Sequence, residues 1–109
     1  MDLNEYQEKA RATAFYPDRE NNLVYPVLGL CGESGELAEK LKKMIRDDGG
    51  ILTPERKKLM IKELGDVMWY VADIASVLKI SLNEVALKNI EKLQSRKDRN
   101  VLQGDGDER

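Results

Sequence analysis

Glu33 and Glu36 stand three residues apart in GESGELAEKLKK, residues 32 to 43, and Glu63 and Asp66 repeat the spacing in KELGDVMWYVAD, residues 62 to 73. On a helix that spacing puts both acids of a pair on one face, with Cβ atoms about 5–6 Å apart. Two such helices laid together would bring four carboxylates into one place. Unpaired, the four would repel, and a hard divalent cation with oxygen ligands is the simplest partner that makes the cluster favourable. The chain contains no histidine, which excludes zincin motifs, Ser-His-Asp triads and the Glu-x-x-His pairs of di-iron bundles. An all-carboxylate donor set favours Mg²⁺ or Mn²⁺ over zinc. A lone Glu-x-x-Glu decorates many solvated helix faces. These two pairs differ in lying beside apolar residues, Leu30 and Cys31 before one and Leu64, Val67 and Met68 around the other, whereas charge runs usually face away from a core.

The elements that must position these acids read as four helices. Residues 3 to 15 form a first, with Leu3, Tyr6, Ala10 and Ala14 on one stripe. Pro17 and the polar residues after it break that helix into a surface connection. A second helix starts near Leu23 to Val27, with Pro26 in its first turn, and runs to about Arg46. Gly29, Gly32 and Gly35 recur along it, each costing about 1 kcal/mol relative to Ala; the spacing suits close helix approach, or room for substrate. Gly49 and Gly50 end it. Thr53 caps a third helix, Pro54 opens it, and it runs to about Leu78. Met60, Leu64, Val67, Val71, Ile74 and Leu78 make a seam suited to bundle packing, with Glu63, Asp66, Tyr70 and Asp73 on the adjacent stripe. Ser81 and Glu84 form a capping box for a fourth helix through about Arg96. Short loops between helices predict an all-α, antiparallel four-helix bundle-like domain over residues 1–99, followed by a Gly/Asp-rich tail, residues 100–109.

Composition agrees with that class. At 109 residues the chain is one domain by length, and 35% charged residues with few aromatics suit charged helices with apolar seams. The net charge of −2 gives no general attraction to a nucleic acid polymer or an anionic membrane. No apolar run approaches the roughly 18 residues of a membrane span, and the start MDLNE lacks the features of a signal peptide, so a cytoplasmic location is expected. Cys31 has no partner for an internal disulfide and reads as a small buried apolar residue.

The order Glu33-x-x-Glu36, 26 intervening residues, then Glu63-x-x-Asp66 resembles the signature of the all-α nucleoside triphosphate pyrophosphohydrolases. The surrounding LGLCGESGELAEKLKK and KELGDVMWYVADIA resemble the MazG-like branch, and Asn89-x-x-Lys92 on the fourth helix agrees. The resemblance covers residues 4 to 99. It implies hydrolysis of a nucleoside triphosphate, (d)NTP, to the monophosphate and pyrophosphate, as nucleotide-pool cleaning. It further implies that Glu33, Glu36, Glu63 and Asp66 hold Mg²⁺, which binds the phosphates and generates a nucleophilic water. Asn89 and Lys92 are implied nucleotide contacts, and Tyr70, one turn beyond Asp66, an implied base contact. Lys40 and Arg96 add cations suited to phosphate, Arg96 four residues from Lys92 on one face. Trp69 is expected in the core or an interface. Arg109 could close over phosphate. Relatives of this kind assemble as homodimers or homotetramers, and a regular apolar seam in so short a chain fits a homo-oligomer. Two other readings stand beside this one: a non-catalytic bundle that binds nucleotides or a protein, and a phosphoribosyl-ATP pyrophosphohydrolase-like enzyme.

Overall fold

The computed structural model describes residues 1–109 and is all-α. Its helices are α1 (Leu3–Arg11), α2 (Val24–Asp47), α3 (Pro54–Val77) and α4 (Leu82–Asp98), and there is no strand. Caps set most of the boundaries. Asp2, Thr53 and Ser81 each accept a hydrogen bond from the amide three residues on, at 2.8, 3.1 and 3.1 Å, satisfying donors that a helix start leaves free. Helix α1 stops at Arg11, four residues short of the expected end. There the amides of Thr13 and Ala14 bond back three residues, and the Thr13 hydroxyl donates to the Ala10 carbonyl, the local competition by which threonine disfavours helix. Helix α2 ends at Gly49 and Gly50, both at positive φ, with the Asp48 and Gly50 amides on the Met44 carbonyl.

Contacts run in opposite directions along the chain: residue 29 meets 70, residue 40 meets 63, and the α1 residues 7 and 11 meet 76 and 73. Helices α2 and α3 are therefore an antiparallel hairpin, and α1 lies antiparallel on α3. The connection between α1 and α2 is no plain surface loop. Its Tyr16 is buried, stacks on Tyr25 at 4.3 Å and donates a hydrogen bond to Asp73. Arg11 donates to the other Asp73 oxygen at 2.6 Å and to the Arg19 carbonyl at 2.7 Å. Asp73, 1% exposed, thus pins the loop to α3 instead of joining an acidic stripe. Its oxygens are spent on Arg11 and Tyr16.

The four helices are those expected of a bundle-like domain, but they do not close into a bundle within one chain. Gln7 and Asn4 accept hydrogen bonds from the first amides of α4, Leu82 and Asn83, and Gln7 also donates to Ser76 and to the Ile80 carbonyl. Beyond that anchor α4 leans away: α2 and α4 nowhere come within 8 Å, Cα to Cα. The buried core is correspondingly small, centred on Ala10, Ala72 and Leu82. The radius of gyration is 16.8 Å, against about 13 Å for a compact chain of this length. Two residues of the α3 seam are left uncovered, Leu64 at 55% exposed and Leu78 at 58%, while Met60, Val67, Val71 and Ile74 are half-buried; on α4, Ile90 is 61% exposed. Cys31, expected inside, is exposed for the same reason.

Candidate functional site

The α2–α3 hairpin brings carboxylate oxygens of Glu33, Glu63 and Asp66 within 4.8 Å of one another. Their spacing on each helix aims them at the shared groove, and the antiparallel register sets 33 opposite 66. Burial, then Asp66, Glu63 and Glu36, push the Glu33 carboxyl above its ordinary range. Both burial and neighbouring negative charge disfavour the ionised form, and Glu33 itself has no cation beside it to offset them. The donor set is all oxygen and tight enough to fit a hard divalent cation, which suits Mg²⁺ or Mn²⁺ over softer metals. Glu36, one turn beyond Glu33, is exposed and stands outside the tight group, although its charge reaches Glu33.

Lys40 lies at the end of this group, with its Nζ 3.2 Å from Glu63 and both side chains largely buried. A cation set one step from the acids can hold Glu63 in place or meet a phosphate oxygen. Glu33 and Asp66 continue into an open cleft of about 290 Å³ whose other walls are Thr13, Trp69 and Tyr70. Tyr70 also packs over Gly29, where a Cβ would overlap its ring. Gly29 is therefore the member of the glycine series that close packing requires; Gly32 and Gly35 face open space. Burial, then Tyr25 and Glu33, raise the Tyr70 hydroxyl above its usual value, and Asp66 contributes likewise to a raised Tyr6.

Trp69 packs against the small core of Ala10, Ala72 and Leu82, as expected, and also reaches the cleft. Its ring lines the cleft edge-on to Tyr70 at 4.9 Å, and its indole N–H donates to the Thr13 hydroxyl at 2.8 Å. The i, i+3 spacing from Asp66 to Trp69 carries that placement in the sequence, since it puts both on one face. Nothing local marks Thr13. It reaches the cleft because Arg11, Tyr16 and Asp73 fold the loop back.

The residues of α4 stand apart from the acids. Asn89 and Lys92 line a separate cavity with Ile80, Val85 and Lys88. Lys92 and Arg96 both pair with Asp107 of the tail, and Arg96 is buried. Arg109 does not reach toward a phosphate site; its guanidinium donates to the carbonyls of Val101, Leu102 and Gly106.

The family profile of the MazG nucleotide pyrophosphohydrolase domain matches residues 25–101, which contain all four signature acids. A relative from Mycobacterium phage L5, described as Gene 37 protein, is 48% identical over 114 aligned positions, with 100% of each chain covered. No solved structure gives a significant match.

Proposed function

The chain belongs to the MazG nucleotide pyrophosphohydrolase family, and on that premise we propose that it is a Mg²⁺-dependent hydrolase of nucleoside triphosphates. The reaction breaks the anhydride bond between the α and β phosphates. Water supplies the oxygen that ends on the α phosphorus, and pyrophosphate leaves. The observation that carries the reading is the convergence of Glu33, Glu63 and Asp66 within 4.8 Å from two separate helices. When bound, Mg²⁺ offsets the charge of the triphosphate and makes water a stronger nucleophile at neutral pH. Glu33, Glu63 and Asp66 hold the ion, with Glu36 added from the next turn of α2. Lys40 steadies Glu63 and faces the phosphates. Trp69 and Tyr70 offer aromatic surface to the base, and Thr13 fixes the Trp69 ring through its indole N–H. Nucleotide-pool cleaning is the role that such a hydrolase serves.

The open subunit supports a homo-oligomer. Leu64, Leu78 and Ile90 are each more than half exposed, apolar surface that a partner would cover. A second copy laid on the α3 seam buries it. Such a copy is also the route by which Asn89 and Lys92, distant from the acids of their own chain, reach a nucleotide.

Pyrophosphate release from a panel of (d)NTPs in Mg²⁺ tests the hydrolase. Glu36→Gln and Asp66→Asn proteins are expected to lose nearly all turnover with helix content unchanged. Full activity in both would remove Glu36 and Asp66 from the reaction. A folded wild-type protein that turns over no nucleotide would leave a binding module.

A further inference from the structure

The residues that follow α4 fold back onto it. Asp107 Oδ1 accepts hydrogen bonds from Lys92 Nζ at 2.9 Å and from Arg96 Nη2 at 3.0 Å, and the Asp107 carbonyl accepts another from Arg96. Arg109 shuts the loop through three carbonyls, and its own carbonyl accepts a bond from Arg99 at 2.8 Å. Lys92, then Arg96, hold the Asp107 carboxyl below its ordinary range.

The fit is incomplete in a telling way. Arg96 is 5% exposed, and its Nε is buried with no hydrogen-bond partner. A guanidinium carries five donors in a planar fork, and buried polar groups are normally satisfied. Here one carboxylate oxygen is shared between an ammonium and a guanidinium that binds through one nitrogen. A phosphate group, with several charged oxygens, matches that pair of cations better. The Lys92 half of the plug is weakly held, because both Lys92 and Asp107 are exposed and such pairs contribute little.

We propose that residues 101–109 are a self-docking strap: Asp107 fills an oxyanion seat formed by Lys92 and Arg96, a phosphate-bearing ligand exchanges with it, and the docked strap restrains turnover. The docking of Asp107 stands on this geometry; the restraint rests on the hydrolase reading above.

Inorganic pyrophosphate added to the full-length protein in EDTA tests the seat, since without metal the acidic cluster repels that ligand. Amide hydrogen exchange over residues 101–109 is expected to accelerate as pyrophosphate saturates. An Asp107→Asn protein should exchange rapidly there without ligand and bind pyrophosphate about fivefold tighter, the effect of removing a partly exposed ion-pair competitor. Adding Lys92→Ala to Asp107→Asn should abolish that gain. Unchanged protection at saturating pyrophosphate, or no tighter binding by Asp107→Asn, overturns the proposal. In turnover assays Asp107→Asn should lower KM for the nucleotide with kcat kept or raised. A fall in kcat/KM overturns the restraint by making the strap a working part of the site. If no nucleotide is turned over while the pyrophosphate responses hold, the hydrolase reading fails and the seat survives.

Discussion

Replacing Glu33 by Gln should change stability in opposite directions with and without metal. In the metal-free protein Glu33 faces Asp66 and Glu63, with oxygens within 4.8 Å. At that distance two unit charges repel by about 0.9 kcal/mol in water and several times more in a drier setting. Lys40 already offsets Glu63 at 3.2 Å, so one uncompensated repulsion in an open cleft remains. Glu33→Gln should therefore stabilise the metal-free protein by about 1 kcal/mol, a rise of about 4–8 °C in Tm for a chain of this size, and the gain should shrink in high salt. The pH dependence follows from the sign of the shift. Burial, then Asp66, Glu63 and Glu36, raise the Glu33 carboxyl in the folded state above its ordinary value of 4.5. The folded state then keeps a proton that the unfolded chain releases. Stability from this group is full below the unfolded value and is lost as pH rises through the folded one. The Gln protein lacks that loss, so its advantage should appear only above this window. Mg²⁺ reverses the ranking: at 100 times its dissociation constant it should stabilise the wild type by about 2.7 kcal/mol, and Glu33→Gln by much less. Thermal melts of both proteins in EDTA and in Mg²⁺, at pH 4 and pH 8, read all four terms. Equal stability in EDTA and equal Mg²⁺ shifts would show that the three carboxylates are independent solvated groups.

Asp73→Asn keeps the side-chain shape but leaves Arg11 without its buried partner, and should cost about 3 kcal/mol; an unchanged urea midpoint would refute the pinning of the loop to α3. Gly29→Ala drives a methyl into the Tyr70 ring and should destabilise by about 1–3 kcal/mol. Gly32→Ala meets open space and should stabilise by up to about 1 kcal/mol through helix propensity; the same thermal melts separate the two, and equal effects would refute the Tyr70 contact. Leu64→Glu charges an uncovered position of the seam and should reduce the mass measured by light scattering to that of a single chain; a wild type that is already monomeric would sink the proposed assembly.

Helix periodicity and caps were legible because they are local. Thr53, Pro54, Ser81 and Glu84 declare their helix starts whatever surrounds them, and α3 and α4 begin where those residues place them. The shared face of Glu63 and Asp66 was legible for the same reason, since an i, i+3 spacing fixes it before any tertiary contact exists, whereas Glu36 has the same spacing from Glu33 and stands outside the tight group. Glu63 and Asp66 meet Glu33 because the short turn at Gly49 and Gly50 sets the register of the hairpin. What lies outside that reach depends on contacts distant in sequence. Asp73 has the spacing of a further site acid, yet Arg11 and Tyr16, 62 and 57 residues away, consume its charge. Arg96 has the spacing of a phosphate ligand, yet Asp107 covers it. Cys31 and Ile90 look like core residues by pattern, and are exposed because nothing in the same chain closes over them.

That exposure bears on how the proposed chemistry divides between elements. The acids and Lys40 sit on one hairpin whose own turn and contacts fix their register, so the cation site needs no other element to form. Lys92 and Arg96 sit on a helix anchored at its first turn by Asn4, Gln7 and the buried Leu82, and they lie about three to four turns beyond that anchor. Metal binding should therefore persist in a protein that cannot assemble, while phosphate affinity should fall with it. Leu64→Glu offers that separation: its thermal shift with Mg²⁺ should match the wild type, and its KM for nucleotide should rise. Loss of both together would mean that the acids, too, depend on a second copy, and the hairpin would no longer suffice as the cation site.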